Sequence, residues 1–97
     1  MFTIIKTEHF DKWLDKLKDR HAKVRILDRI NGMIGGNLGD VKPVGEGVSE
    51  TRIHYGPGYR LYFCQQGDVV IVLLCGGDKS TQNKDIEKAK ELKRCLK

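Results

Sequence analysis

Long apolar runs and paired cysteines are both missing from this 97-residue sequence. A membrane-spanning helix needs about 18 or more consecutive apolar residues, and the sequence has no such run. The cysteines, Cys64, Cys75 and Cys95, are odd in number, and no two are spaced as Cys-x-x-Cys. The sequence therefore predicts neither a disulfide framework nor a zinc site, and it favours free thiols in a reducing compartment.

Nucleotide-binding motifs are also missing, although glycine is plentiful. Residues 35–47 are rich in glycine but contain neither G-x-G-x-x-G nor a Walker pattern. The segment Gly77-Asp78-Lys79-Ser80-Thr81 is similar to the end of a Walker motif, but Asp78 stands where the motif needs a glycine. Binding of a nucleoside triphosphate is therefore poorly supported, and we expect no cofactor and no metal.

What the sequence does have is positive charge. Eighteen Lys and Arg against thirteen Asp and Glu give a formal charge of +5 and a pI near 9.2. On a small domain this favours an anionic partner such as nucleic acid, the ribosome or an acidic protein, although a merely soluble basic surface has the same composition. The length predicts one domain, residues 1–97, and the cytoplasm is the expected location.

The spacing of apolar residues predicts an α+β domain with the element order β-α-α-β-β-β-α. The predicted elements are a strand over 2–6, a helix from Glu8 capped by Thr7, a helix from about Ala22 to Ile34, a loop over 35–47, three strands between Val48 and Cys75, and a last helix capped by Ser80 or Thr81 and ending near Leu96. The strand that ends at Cys75 is apolar on both faces, so we expect it to be covered on both sides. A mainly antiparallel sheet with a helical hairpin on one face accommodates this order.

A β-hairpin around Gly56-Pro57-Gly58 is the most distinctive feature of the chain. If its strands close symmetrically about Pro57, His54 lies opposite Arg60 and Arg52 lies opposite Tyr62. Side chains alternate across a strand, so these four polar residues share one face and apolar residues take the other. We expect the polar face to be open or only partly covered, and its cations suit a phosphate.

With these residues the chain resembles the RelE/ParE superfamily of bacterial toxins from type II toxin–antitoxin modules, and its HigB-like addiction module killer branch in particular. The segments that carry the resemblance are Phe10 to Leu14, Gly39 to Gly45, Glu50 to Phe63, and Leu74 to Gln82. The resemblance implies a RelE-like fold and one of two activities. RelE- and HigB-like members cleave mRNA on the ribosome, whereas ParE-like members poison DNA gyrase.

The resemblance also implies roles for individual residues. Arg52 and His54 match the two basic residues before the turn, Arg60 matches the arginine of the Gly-Tyr-Arg segment, and Lys79 matches the basic residue after the last strand. RelE-type members use a tyrosine early in the final helix, and this sequence has none there. That role passes to Tyr62 or to His54, or it is missing.

Metal-independent RNA cleavage needs a base for the ribose 2′-OH, cations for the developing phosphoryl charge and an acid for the departing 5′-oxygen. His54 suits the base because imidazole titrates near neutrality. Arg60 suits the phosphate, assisted by Arg52 and Lys79. Tyr62 or the ribosome would supply the acid. The weaker candidates for contact with RNA or phosphate are Lys42 and Tyr59.

Other interpretations stay open at this point. Arg60 could be structural and tie strands to carboxylates such as Glu50 or Asp78, and His54 could be an ordinary polar residue. The function we expect is a ribosome-dependent mRNA endonuclease held in check by an antitoxin, which in HigB-like systems resembles a helix-turn-helix repressor. The alternatives are a gyrase inhibitor and a non-catalytic module that binds antitoxin or RNA. If the first is right, His54→Ala and Arg60→Ala each relieve growth inhibition and leave the fold intact.

Overall fold

The structure, a computed structural model, describes residues 1–96 and places helices on both faces of one mixed sheet. In chain order the elements are β1 (Thr3–Lys6), α1 (Glu8–Lys16), α2 (Arg20–Ile34), β2 (Asp40–Gly45), β3 (Val48–Ile53), β4 (Tyr59–Gln66), β5 (Val70–Gly77), a 3-10 turn (Lys79–Thr81) and α3 (Gln82–Arg94). The α+β class agrees with the sequence-based prediction, but the sheet has one more strand than predicted. No helix within residues 1–96 is long and apolar enough to cross a membrane.

The strand order is β1-β5-β4-β3-β2, and β1 runs parallel to β5 while the other neighbours are antiparallel. The prediction that the strand ending at Cys75 is covered on both sides is confirmed. Ile71 and Leu73 of β5 pack in the core on one face of the sheet, and Val72 and Leu74 pack in the core on the other. This strand therefore holds the two helical layers together through the sheet.

Helices α1 and α2 cover one face, and their start points follow from capping side chains. The Thr7 hydroxyl accepts a hydrogen bond of 3.0 Å from the Phe10 N–H, as its position predicted. Asp19 accepts from the N–H groups of His21 and Ala22, so α2 begins at Arg20, two residues before the predicted start. Both helices contribute buried residues to the same apolar core, and Trp13 of α1 packs against it.

Helix α3 covers the opposite face, where Ala89 lies in a core with Val48, Tyr62 and Cys64 of β3 and β4. The hairpin face that carries Tyr62 is therefore only partly open, because α3 lies over that part of it. The chain enters α3 through the 3-10 turn, which Asp78 caps by accepting a hydrogen bond of 2.8 Å from the Ser80 N–H. Neither Ser80 nor Thr81 makes the predicted side-chain cap of α3.

Part of the predicted glycine-rich loop is strand β2, so the predicted loop over 35–47 was wrong for Asp40–Gly45. This strand pairs with β3 at the edge of the sheet, where a proline such as Pro43 is tolerated because an edge strand has a neighbour on one side only. A tight turn joins the two strands, and Glu46 in it has a φ of 54°. The glycines on both sides of Glu46 are typical of a loop, so the sequence-based prediction missed the alternation of polar and apolar residues in β2.

The register of the central hairpin also differs from the predicted one. Arg52 pairs with Arg60 and Ile53 pairs with Tyr59, so the strands close around Gly56 rather than Pro57. Residues 54–58 join the two strands, and Gly56 and Gly58 in this loop adopt positive φ angles of 56° and 79°. The pairing moves by two positions, which preserves the alternation of faces. Arg52, Arg60 and Tyr62 accordingly remain on the same face, as predicted.

Candidate functional site

A buried glutamate organises the cationic face of the hairpin. Glu50 is 1% exposed, and its carboxylate oxygens lie 3.5 Å from Nε of Arg52 and 3.5 Å from Nε of Arg60. Gln82, at the start of α3, donates from Nε2 to the same carboxylate at 3.3 Å. The strand pairing explains the cluster, because Glu50 and Arg52 alternate onto the face that Arg60 shares.

This cluster gives Arg60 a structural role. Its side chain is 10% exposed, and Nη1 donates a hydrogen bond of 3.0 Å to the Gly58 carbonyl in the turn. The alternative in which Arg60 ties the strand to Glu50 thus matches the geometry. Arg52 is 33% exposed, so a phosphate from solvent meets Arg52 more readily than Arg60. The sequence-based prediction ranked Arg60 above Arg52 as the phosphate ligand. This arrangement favours Arg52 instead.

His54 lies just beyond the end of β3 and is paired with a carboxylate. Its Nε2 is 2.7 Å from Oδ2 of Asp40, and the two side chains are 73% and 49% exposed. The hydrogen bond from His54 is the main cause that lowers the pKa of Asp40 below its usual value, and the charge of Arg52 contributes in the same direction. The result is an imidazole open to solvent and held by an ionised partner.

Two cavities meet at His54. One has a volume of about 240 Å³ and is lined by Arg52, Ile53, His54, Gly58, Tyr59, Arg60 and Lys79. The other has a volume of about 370 Å³ and is lined by Arg25, Asp28, Arg29, Gly32, Asn37, Ile53 and His54. The first cavity brings together five of the predicted residues: Arg52, His54, Tyr59, Arg60 and Lys79. The exposed Lys79 reaches it from the 3-10 turn, whose backbone bonds to the hairpin at Pro57.

Arg29 of α2 anchors the end of β3 beside this site. Its Nη1 donates hydrogen bonds of 2.6 Å to the Thr51 hydroxyl and 2.7 Å to the Arg52 carbonyl. Thr51 in turn donates to the Leu38 carbonyl at 2.7 Å. These contacts fix the strand from which Arg52 and His54 project, so the position of both side chains is set by α2 as well as by the sheet.

Two of the predicted residues, Tyr62 and Tyr59, are buried, and a third, Lys42, lies away from both cavities. Tyr62 is fully buried under α3, and burial raises the pKa of its phenol above the ordinary value. It therefore cannot reach a ribose, and the predicted role of general acid does not fit its position. Tyr59 is 7% exposed and packs edge-on against Trp13 in the core, although it lines the smaller cavity. Lys42 is exposed on β2, and neither cavity contains it.

Three residues near the site were not predicted as part of it: Asp40, Arg29 and Gln82. Asp40 begins a polar–apolar alternation, Asp40-Val41-Lys42, which is a weak strand signal that the surrounding glycines outweighed. Arg29 and Gln82 reach the hairpin from helices that are distant in the sequence, so only the tertiary structure identifies them. Among residues 1–96 no group of three or more His, Cys, Asp and Glu side chains could hold a metal ion.

Comparison with known proteins gives one clear relationship. The chain is 54% identical over 83 residues to an uncharacterized protein of Haemophilus influenzae strain Rd, and the match covers 86% of this chain and 84% of the relative. The chain belongs to the same family as this Haemophilus protein. No family model matches the chain. The relationship establishes shared descent, and the name of the relative states no activity.

Proposed function

We propose that this protein is the toxin of a type II toxin–antitoxin module with a RelE-like fold, and that it cleaves mRNA on the ribosome without a metal ion. The observation that carries the proposal is the exposed His54 imidazole, which lies 2.7 Å from a carboxylate and lines a cavity together with Arg52, Arg60 and Lys79. A proton acceptor beside fixed cations is what cleavage of a ribose–phosphate backbone requires. The resemblance to RelE- and HigB-like toxins supports the same activity.

In the proposed reaction His54 takes the proton from a ribose 2′-OH, and the 2′-oxygen attacks the adjacent phosphorus. Arg52 and Lys79 stabilise the negative charge on the phosphoryl oxygens, and the less exposed Arg60 adds positive charge to the same cavity. The bond from phosphorus to the 5′-oxygen breaks, which leaves a 2′,3′-cyclic phosphate and a 5′-hydroxyl. We attribute the proton for the leaving oxygen to the ribosome, because Tyr62 is buried and cannot supply it.

The proposal includes the partners of such a module. The substrate is mRNA on a translating ribosome in the cytoplasm, and the formal charge of +5 favours both of these polyanions. The inhibitor is an antitoxin, a helix-turn-helix protein encoded beside the toxin. It neutralises the basic surface with acidic or helical segments, or it prevents docking on the ribosome from a distance.

A second candidate is a non-catalytic module, either an inhibitor of DNA gyrase or a protein that binds only its antitoxin or RNA. One observation favours it. Arg52 and Arg60 are both engaged by the buried Glu50, and Tyr62 is unreachable, so the cavity holds a base and cations but no general acid from the predicted set. A surface of this kind can bind an anionic partner without cleaving it.

Mapping RNA 5′ ends in cells after induction of the protein separates these functions. New ends within translated frames support mRNA cleavage, DNA breaks with intact mRNA support gyrase poisoning, and neither change supports the non-catalytic module. His54→Ala should remove the new ends. His21→Ala is the matched control, because His21 is exposed at the start of α2 and lines neither cavity. Equal cleavage by the two variants would contradict the role of His54.

A further inference from the structure

The pairing of Asp40 with His54 has a chemical consequence for the site. We propose that Asp40 is a positioning residue that holds the neutral His54 imidazole as the Nε2–H tautomer and leaves Nδ1 as the basic nitrogen. The catalytic use of this arrangement rests on the proposed function. The tautomer itself is a property of the folded chain and can be measured without any reaction.

The sheet builds this pair. Asp40 is the first residue of β2, and its register partner on β3 is Arg52. His54 follows Arg52 by two positions, just beyond the end of β3, and lies diagonally across from Asp40. Side chains in this relation are within reach of each other, and here the distance from Nε2 to Oδ2 is 2.7 Å. The edge strand β2 thus supplies the partner of the imidazole.

An ionised carboxylate can only accept hydrogen bonds, so the hydrogen shared by the pair belongs to the imidazole. An aspartate with an ordinary pKa is ionised at neutral pH, and the hydrogen bond from His54 and the charges of Arg52 and Arg29 lower the pKa of Asp40 further. At 2.7 Å the bond has the short length typical of a charged acceptor. In the neutral imidazole the hydrogen is therefore on Nε2, and the lone pair that can take a proton is on Nδ1.

The two cavities show why this matters for the site. His54 lines both of them, and Asp40 occupies its Nε2 side. Nδ1 is then the nitrogen left to accept the proton of a ribose hydroxyl. The opposite tautomer would carry a hydrogen on Nδ1 and could not act as the base there. Arg52 and Arg29 are cations and cannot accept a hydrogen from the imidazole in place of Asp40.

The size of the effect follows from what a positioning residue can do. A general base contributes roughly 100- to 10,000-fold to a rate, and loss of tautomer control costs part of that factor. Asp40 is about half exposed, so water partly replaces it when it is removed. We expect Asp40→Asn to slow cleavage roughly 10-fold, less than His54→Ala does.

The test uses the full chain labelled with ¹⁵N-histidine and imidazole NMR at about pH 8, where free imidazole is mostly neutral. The wild-type His54 should show the Nε2–H tautomer, and Asp40→Asn should show a mixture that includes Nδ1–H, because an amide can also donate to the ring. Glu46→Gln is the control. It removes the same charge from an exposed carboxylate that pairs with Arg94 and not with His54.

Each outcome decides a different point. An unchanged His54 tautomer in Asp40→Asn would overturn the inference. A changed tautomer with cleavage equal to that of Glu46→Gln would overturn the catalytic use of the pair. If the wild-type protein does not cleave RNA on ribosomes, the proposed function fails, and the NMR spectra still decide whether Asp40 fixes the imidazole. The inference is supported in full if Asp40→Asn cleaves more slowly and shows the mixed tautomer while Glu46→Gln shows neither change.

Discussion

The Nε atom of Arg60 lies 3.5 Å from Oε2 of Glu50, and the glutamate is 1% exposed. A buried charge of this kind depends on its partners, because few water molecules can reach it. Removing one partner from a buried ion pair usually destabilises a protein strongly, whatever the net contribution of the intact pair. A substitution at Arg60 is therefore expected to lower stability, and a loss of activity in such a variant need not mean a loss of phosphate binding.

Arg60→Ala should lower the free energy of unfolding by about 3 kcal/mol, a loss moderated by the contacts that Glu50 keeps with Arg52 and Gln82. The sequence alone led us to expect that this variant leaves the fold intact, whereas the buried ion pair predicts a loss of stability. Denaturant unfolding of the purified proteins provides the measurement. Arg94→Ala is the control, because Arg94 is 59% exposed in its pair with Glu46 and its loss should change stability little. Equal stability of the two variants would show that the Glu50 cluster is not structural.

Tyr62→Phe should leave activity unchanged and raise the free energy of unfolding by up to about 1 kcal/mol. The hydroxyl of Tyr62 is buried, and within residues 1–96 it has no hydrogen-bond partner, so its removal relieves an unsatisfied polar group. Thermal unfolding and a cleavage assay on the same preparation test both parts. A large loss of cleavage by a stable Tyr62→Phe protein would restore the tyrosine as the general acid.

Some features of the hairpin could be predicted from the sequence, and others could not. Alternation placed Arg52, Arg60 and Tyr62 on one face correctly, because the period of a strand does not depend on the loop. The register depends on loop geometry, and the positive φ angles of Gly56 and Gly58 were not predictable from residue types alone. The Asp40–His54 pair could not be predicted either, because it requires β2, which glycines and Pro43 concealed. Membership of the RelE/ParE superfamily stays a prediction.

Asp85→Asn should stabilise the protein more at neutral pH than in acid. Burial raises the pKa of Asp85, while the hydrogen bond of 2.6 Å from the Thr81 hydroxyl opposes the shift. A carboxyl group with a raised pKa disfavours folding when it is ionised. This cost is complete above the folded-state pKa and disappears below the unfolded-state value of about 3.9. Unfolding free energies of both proteins at several pH values give the test, and a difference that is independent of pH would contradict it.

Gly76→Ala should destabilise the fold by about 2 kcal/mol through overpacking. A Cβ atom at Gly76 would lie 2.7 Å from Cη2 of Trp13, so the aromatic ring would have to move within the core. Gly35→Ala is the matched control, because its nearest contact would be an ordinary 3.5 Å. Unfolding midpoints of the two variants are compared. Similar midpoints would mean that Trp13 is not fixed against β5 and is free for another role, such as base stacking.

The most direct test of the central claim is a cleavage assay with purified protein on ribosomes translating a defined mRNA. The wild-type protein and His21→Ala should cleave the message at equal rates, and His54→Ala should be slower by roughly 100- to 10,000-fold while unfolding at the same temperature. A His54→Ala protein that cleaves as fast as His21→Ala, or a wild-type protein that leaves the message intact, would contradict the account.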